Sequence, residues 1–221
     1  MSSSGSRATR SKPRSLRVDA ERNRGRIVQA AEAAFARHGL EVPLEDVAAQ
    51  AGVGIATLYR RFPTRDDLIA ACFERRLEEY ALTAQTALEF KDPWEGFCFH
   101  VMTICSMQAA DRGLRDVLTR EFPEAKALEK HRAEGYALTV QLIVRAQAAG
   151  SLRSDFVPED LILLLMANGG VVQAMSDIFP DAWQRLIGIL LDGLHVGEAG
   201  ALPAPPSPRQ MVRAMRRMAQ G

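Results

Sequence analysis

The chain has 221 residues, 47% hydrophobic and 25% charged, a balance that excludes wholesale disorder and allows one or two domains with a proper core. Its longest apolar run, residues 161–167, is far shorter than the roughly 18 residues of a membrane span, the N-terminus lacks a secretory apolar stretch, and the three cysteines, Cys72, Cys98 and Cys105, make no disulfide framework. A cytoplasmic protein without membrane attachment is expected, and its net charge of +1, divided as +4 over residues 1–67 and −3 over 68–221, points to a polyanion at the N-terminal end.

Residues 1–18 are expected to form a basic flexible arm. Asp19 is placed to cap a first helix, in which Ile27, Ala30, Ala31, Ala34, Phe35 and His38 recur on one face before Gly39 ends it. Short helical pieces follow from Leu44 to Gln50 and from Gly54 to Arg61, the second broken by Phe62-Pro63. Thr64-Arg65-Asp66-Asp67 reads as a capping box that opens a long helix to about Glu89. Past Pro93, helices are predicted over about 94–110, 112–119, 123–149, 158–176 and 180–195, with Gly and Pro marking the turns. Residues 197–208 read as a Gly/Ala/Pro-rich linker. The last stretch spaces Met211, Met215 and Met218 among arginines and reads as a frayed, solvated helix rather than a docked one. The expected fold is therefore all-α with about nine helices. A helix-turn-helix domain over 19–67 precedes a helical body over 68–196 and a linker with a basic tail over 197–221.

Chemistry concentrates between Leu44 and Phe62. Two short helices joined by a tight turn make the helix-turn-helix pattern. Ala48 is small enough to let the two axes approach, Gly52 can take the left-handed conformation that ends the first helix, and Val53 and Leu58 supply an apolar seam. The second helix is dressed unlike a core helix. Thr57, Tyr59, Arg60 and Arg61 are polar or basic, and Ile55 and Ala56 stand at its leading end behind Gly54. Such a helix fits the major groove of duplex DNA: hydroxyls and arginines reach phosphates or a guanine edge, and small apolar groups meet a thymine methyl.

These residues resemble the tetracycline-repressor-like (TetR) family of transcriptional regulators. The likeness runs through Arg24-Gly25-Arg26-Ile27, Phe35-Ala36-Arg37-His38-Gly39, Val47-Ala48, Ala51-Gly52-Val53, Thr57-Leu58-Tyr59, Phe62 and Arg65-Asp66-Asp67-Leu68. It implies three N-terminal helices for DNA, a connecting fourth helix and a ligand-binding, dimerising C-terminal domain. Pro43 and Gly54 stand where the family commonly has hydroxyl caps, and Arg65 where it commonly has Lys. The DNA-contacting set carried by the resemblance and the chemistry together is Gly54, Ile55, Ala56, Thr57, Tyr59, Arg60, Arg61 and Arg65. A homodimer through residues 158–195 on a palindromic operator, and a repressor released by a small-molecule effector, are the expectations that follow.

The apolar run 161–167 and the stripe Ile187, Leu190, Leu191 and Leu194, with Gly188 and Gly193, suit a helical interface between two copies. Trp94, Phe97, His100, Met102, Thr103, Met107, Tyr136, Gln141, Asn168 and Gln173 are candidates for the wall of the effector cavity, an apolar surface with a few polar handles. Cys98, Met102 and Cys105 share one helix face near His100, a soft-ligand pattern that equally suits core packing. No metal, cofactor or catalytic constellation is expected. The alternative is an all-helical adaptor or small-molecule-binding bundle that uses neither DNA nor catalysis.

Overall fold

The computed structural model describes residues 12–122, 125–197, 200 and 202–218, and within them ten helices follow one another. They are α1 (Lys12–His38), α2 (Leu44–Ala51), α3 (Ile55–Arg61), α4 (Arg65–Leu88), α5 (Pro93–Ala110), α6 (Arg112–Thr119), α7 (Lys126–Ala148), α8 (Pro158–Met175), α9 (Ala182–Leu194) and α10 (Pro208–Met218). Among the described residues the one extended pairing is an isolated antiparallel bridge between Leu152 and His195.

Two expectations are corrected. The first helix begins at Lys12, ahead of Asp19. Residues 14–24 contain neither glycine nor proline, so nothing in that run stops a helix, and Asp19 lies inside it rather than capping it. The expected arm is thus helical from residue 12, and residues 1–11 lie outside the described residues. The second correction is α10, which docks. Met211 and Met215 are buried to 3% and 4% exposure, and Arg216 Nε meets Glu121 Oε2 at 2.7 Å. Two methionines four apart present one apolar ridge, and the body offers a surface to receive it.

The seven helices α4 to α10 pack around α4, α5 and α7. Helix α4 opens with the expected capping box: the Asp67 N–H donates to Thr64 Oγ1 and the Thr64 N–H to Asp67 Oδ2, each at 3.0 Å. Asp92 and Asp111 cap α5 and α6 by accepting from the Trp94 and Leu114 N–H groups. Arg145 of α7 donates to the Leu88 and Phe90 carbonyls at 2.7 and 2.6 Å, tying α7 to the turn between α4 and α5.

A buried polar chain sets the register of these three helices. His100 of α5 is fully buried, its Nδ1 2.8 Å from Thr83 Oγ1 on α4 and its Nε2 3.0 Å from Thr139 Oγ1 on α7. The Tyr80 hydroxyl lies 3.2 Å from the same Thr139 oxygen. Burial pushes the His100 pKa down from 6.5 to about 4, so the ring is neutral. A histidine lowered in the folded state favours folding when neutral. Its contribution is complete above the unfolded pKa and is lost as pH falls from about 6.5 toward 4. The full contribution is on the order of 3 kcal/mol. Thermal melts of the wild type should therefore drop steeply across that window, and His100→Gln, which cannot titrate, should flatten the drop.

Candidate functional site

Helices α2 and α3 meet through a turn whose backbone bonds are nearly all satisfied locally. Pro43 opens α2, its carbonyl accepting from Asp46 and Val47 N–H at 3.2 and 3.4 Å. Gly52 ends α2 at φ 64°, ψ 38°. There the Gly52 N–H donates to Ala49 O and the Val53 N–H to Ala48 O, both at 3.0 Å, the closure that needs a left-handed residue. Gly54, extended at φ −71°, starts α3 by accepting from the Thr57 and Leu58 N–H groups. Ala48 and Leu58 are buried in the seam between the two helices, and Phe62 seals it with the Arg24 guanidinium 5.5 Å above its ring.

Within α3 only Leu58 is buried. Ala56, Tyr59, Arg60 and Arg61 are exposed together with Gly54, while Thr57 is half-buried and Ile55 leans on the core. The structure thus exposes five of the eight residues singled out from sequence, Gly54, Ala56, Tyr59, Arg60 and Arg61, with Ile55 and Thr57 partly covered among them. Arg65 stands apart. Its Nη1 donates to Leu40 O at 2.6 Å and Val42 O at 2.8 Å, so the guanidinium is half-buried against the loop between α1 and α2. Through Nη1 it forms a tether between α4 and that loop, a role the sequence reading did not assign to it. Asp116, which the sequence did not single out, takes the other side of the loop: its Oδ2 accepts from the Leu40 N–H at 3.1 Å.

The cavity-wall candidates scatter. Trp94 stacks on Phe97 and meets His195 edge-on, Phe97 lies buried against Phe156, and Met102 and Met107 pack on the same core. His100 belongs to the buried chain described above. Thr103 donates to Phe99 O, and Gln141 is exposed on α7. Asn168 is buried, its Nδ2 donating to Gln108 Oε1 and Cys105 O. Gln173 borders a cleft between α1, α6 and α8. Only Tyr136 lines the cavity inside the body. That cavity, about 180 Å³, is walled by Tyr80, Tyr136, Leu161, Leu165 and Met215, with the Arg132–Glu129 ion pair at 2.8 Å beside them. Sequence periodicity gave helix faces; it could not show that α4, α7, α8 and α10 converge here. The cysteines are packed and protonated. Burial pushes Cys105 up to about 12 and, helped by Asp92, Asp192 and Glu95, Cys98 up to about 11.

Residues 27–72 match the family profile "Bacterial regulatory proteins, tetR family", and residues 92–196 match "Transcriptional regulator SbtR-like, C-terminal domain". An HTH-type transcriptional repressor of Streptomyces coelicolor is 27% identical over 165 residues, 70% of this chain and 81% of the relative. A TetR transcription regulatory protein from Mycobacterium vanbaalenii, solved by crystallography, is 33% identical, covers 82% of this chain and 99% of its own, and superposes with a TM-score of 0.49. The transcriptional regulator FadR from Bacillus subtilis, solved with stearoyl-CoA, has the same fold at a TM-score of 0.58 and 16% identity, over 77% of this chain and 99% of that one.

Gly52 tests the turn. A side chain there is strained at positive φ, and its Cβ would collide with the Arg26 guanidinium. Gly52→Val should cost about 2–3 kcal/mol, read as a lowered denaturation midpoint.

Proposed function

The chain belongs to the tetR family of bacterial regulatory proteins and is a DNA-binding transcriptional regulator, and on that footing we propose that it is a dimeric repressor released from a palindromic operator by a small-molecule effector, working by binding rather than catalysis in the cytoplasm. The observation that carries this reading is α3 itself: it buries Leu58 alone and turns Ala56, Tyr59, Arg60 and Arg61 outward. Residues 19–67, with the preceding turns of α1, form the reading head, and residues 68–196 form the body. Tyr59 and Thr57 reach phosphates, Arg60 and Arg61 reach phosphate or a guanine edge, Ala56 and Ile55 approach thymine methyls, and Gly54 lets the backbone come close. Repression is favoured by the Streptomyces relative, itself a repressor.

A seven-residue recognition helix spans few base pairs, so specificity calls for two copies on a palindrome. The face of α8 and α9 suits the second copy. Leu163 and Ile189 are 44% and 60% exposed, beside an apolar hollow of about 420 Å³ that Leu164, Ala167, Leu190 and Leu194 also line. The body cavity, with two phenols and an ion pair on an otherwise apolar wall, suits the effector. FadR, of the same fold, was solved holding stearoyl-CoA.

Selection of bound fragments from random DNA should return a palindrome whose half-sites lie about 34–36 Å or a multiple apart; failure to enrich any site at low salt would overturn the DNA reading. On that operator, Arg60→Ala or Arg61→Ala should lower the salt slope by about 0.9 if the residue meets phosphate, or relax one base position by about 1–3 kcal/mol if it reads a base. Arg65→Gln should weaken binding with the slope unchanged, because its role is to hold the loop. Leu163→Asp combined with Ile189→Asp should yield a folded monomer in sedimentation and reduce operator affinity by roughly a hundredfold.

A further inference from the structure

Between the reading head and the body lies a second cavity of about 340 Å³, bounded by the end of α1, the loop to α2, α6 and α8. One short helix and its C-cap bring three guanidinium groups to it: Arg112, Arg115 and Arg120. Against them stand two carboxylates, Asp116 and the largely exposed Glu41, with His38 also at the rim.

The cations are poorly answered. Arg120 is paired with Glu41 at 2.6 Å and Asp116 at 3.5 Å, yet its buried Nε has no partner among the described residues. Among the described residues Arg112 reaches the Arg37 carbonyl alone, at a long 3.4 Å. Arg115 is the most confined, at 9% exposure, and its contacts are long: Gly169 O at 3.5 Å and Asp116 Oδ1 at 3.9 Å. Good charge-assisted hydrogen bonds of guanidinium run about 2.7–2.9 Å. Burial pulls the Arg115 pKa down, Asp116 opposes it, and Arg112 and Arg120 add like-charge repulsion. Asp116 cannot answer all of them, because its Oδ2 also accepts from the Leu40 N–H. Buried donors without partners are costly, and a planar fork of N–H groups fits an oxyanion two-fold. Gly169 leaves the room for this: a Cβ there would lie 2.8 Å from Arg115 Cδ.

We propose that this cavity is a second ligand site, one that binds a small oxyanion, a phosphate or carboxylate group, between Arg115, Arg112 and Arg120. It differs in place and chemistry from the apolar cavity in the body. Because Arg112 also reaches the Arg37 carbonyl and Arg120 the Glu41 carboxylate, an anion drawn to these side chains acts on the joint between head and body. That consequence for DNA rests on the function proposed above; binding of the anion does not.

Calorimetric titration of the full chain with inorganic phosphate, and in a second arm with citrate, in chloride buffer of matched ionic strength, tests the site directly. Saturable binding of one equivalent per chain is expected, from whichever arm carries the right group. It should weaken by about tenfold or more in Arg115→Gln and by a smaller factor in Arg112→Gln. Arg75→Gln, on the exposed face of α4, should change nothing. Should Arg115→Gln lose its helical circular dichroism, Arg112→Gln decides, since its side chain is exposed. No saturation in either arm up to tens of millimolar, or equal weakening by Arg75→Gln, overturns the proposal. Operator affinity measured with and without the binding anion should shift in the wild type and not in Arg115→Gln. Absence of any operator would strike the DNA reading and leave the calorimetry standing.

Discussion

The loop between α1 and α2 is gripped on both sides of its backbone, and the placement of the reading head depends on that grip. Asp116 of α6 takes the Leu40 N–H, and Arg65 of α4 takes the Leu40 and Val42 carbonyls. All three bonds are charge-assisted and at least partly shielded from water, where such bonds are strongest. Arg120 adds an ion pair to Glu41 in the same loop. Helices α4 and α6 thus hold three consecutive residues, Leu40, Glu41 and Val42, and α2 and α3 follow from where that loop is fixed.

Helix α4 gives this grip its reach. Arg65 stands at its first turn, while Tyr80, some four turns on, forms part of the wall of the body cavity and of the polar chain with His100 and Thr139. One helix therefore has its first turn on the loop and its middle on the cavity wall. The cavity and the loop thus share one element, through which the effector release proposed above would act. Helix α6 offers a parallel route through Asp116, and Arg115 extends it to Gly169 on α8. The face proposed for a second copy and the loop of the reading head therefore lie at opposite ends of one short chain of contacts.

What was legible in the sequence follows from how local each determinant is. The turn at Gly52, the small Ala48, the seam residue Leu58 and the capping box at Thr64 each act over four or five residues, so their spacing in sequence is their spacing in space. The all-helical fold was legible for the same reason. The body cavity was not, because its wall comes from Tyr80, Tyr136, Leu165 and Met215 on four separate helices. The tether made by Arg65 was not legible, because its type suits phosphate and carbonyl equally and the loop it reaches lies more than twenty residues away in sequence. The start of α1 was missed because Asp19 is a good cap and also a tolerable helix residue. Spacing alone could not place α10 either: two methionines four apart on a basic helix fit open solvent as well as a groove.

Buried polar groups along α5 explain how the body holds one arrangement while keeping a cavity. His100 joins α5 to α4 and α7, and two turns further on Gln108 and Asn168 join it to α8. Hydrophobic packing alone is permissive about register, because one leucine fits much like the next, whereas a neutral imidazole between two threonines fits in one position only. The second pair is less complete: Gln108 Nε2 and Asn168 Oδ1 are buried with no partner among the described residues. Polar cores of this kind are stiff where every group is satisfied and adjustable where one is not. The satisfied end, at His100, lies beside the cavity and the α4 lever. The unsatisfied end lies at α8, next in sequence to Gly169 and the arginine cluster. Polar specification is therefore complete where α5 meets α4 and α7 and incomplete where it meets α8.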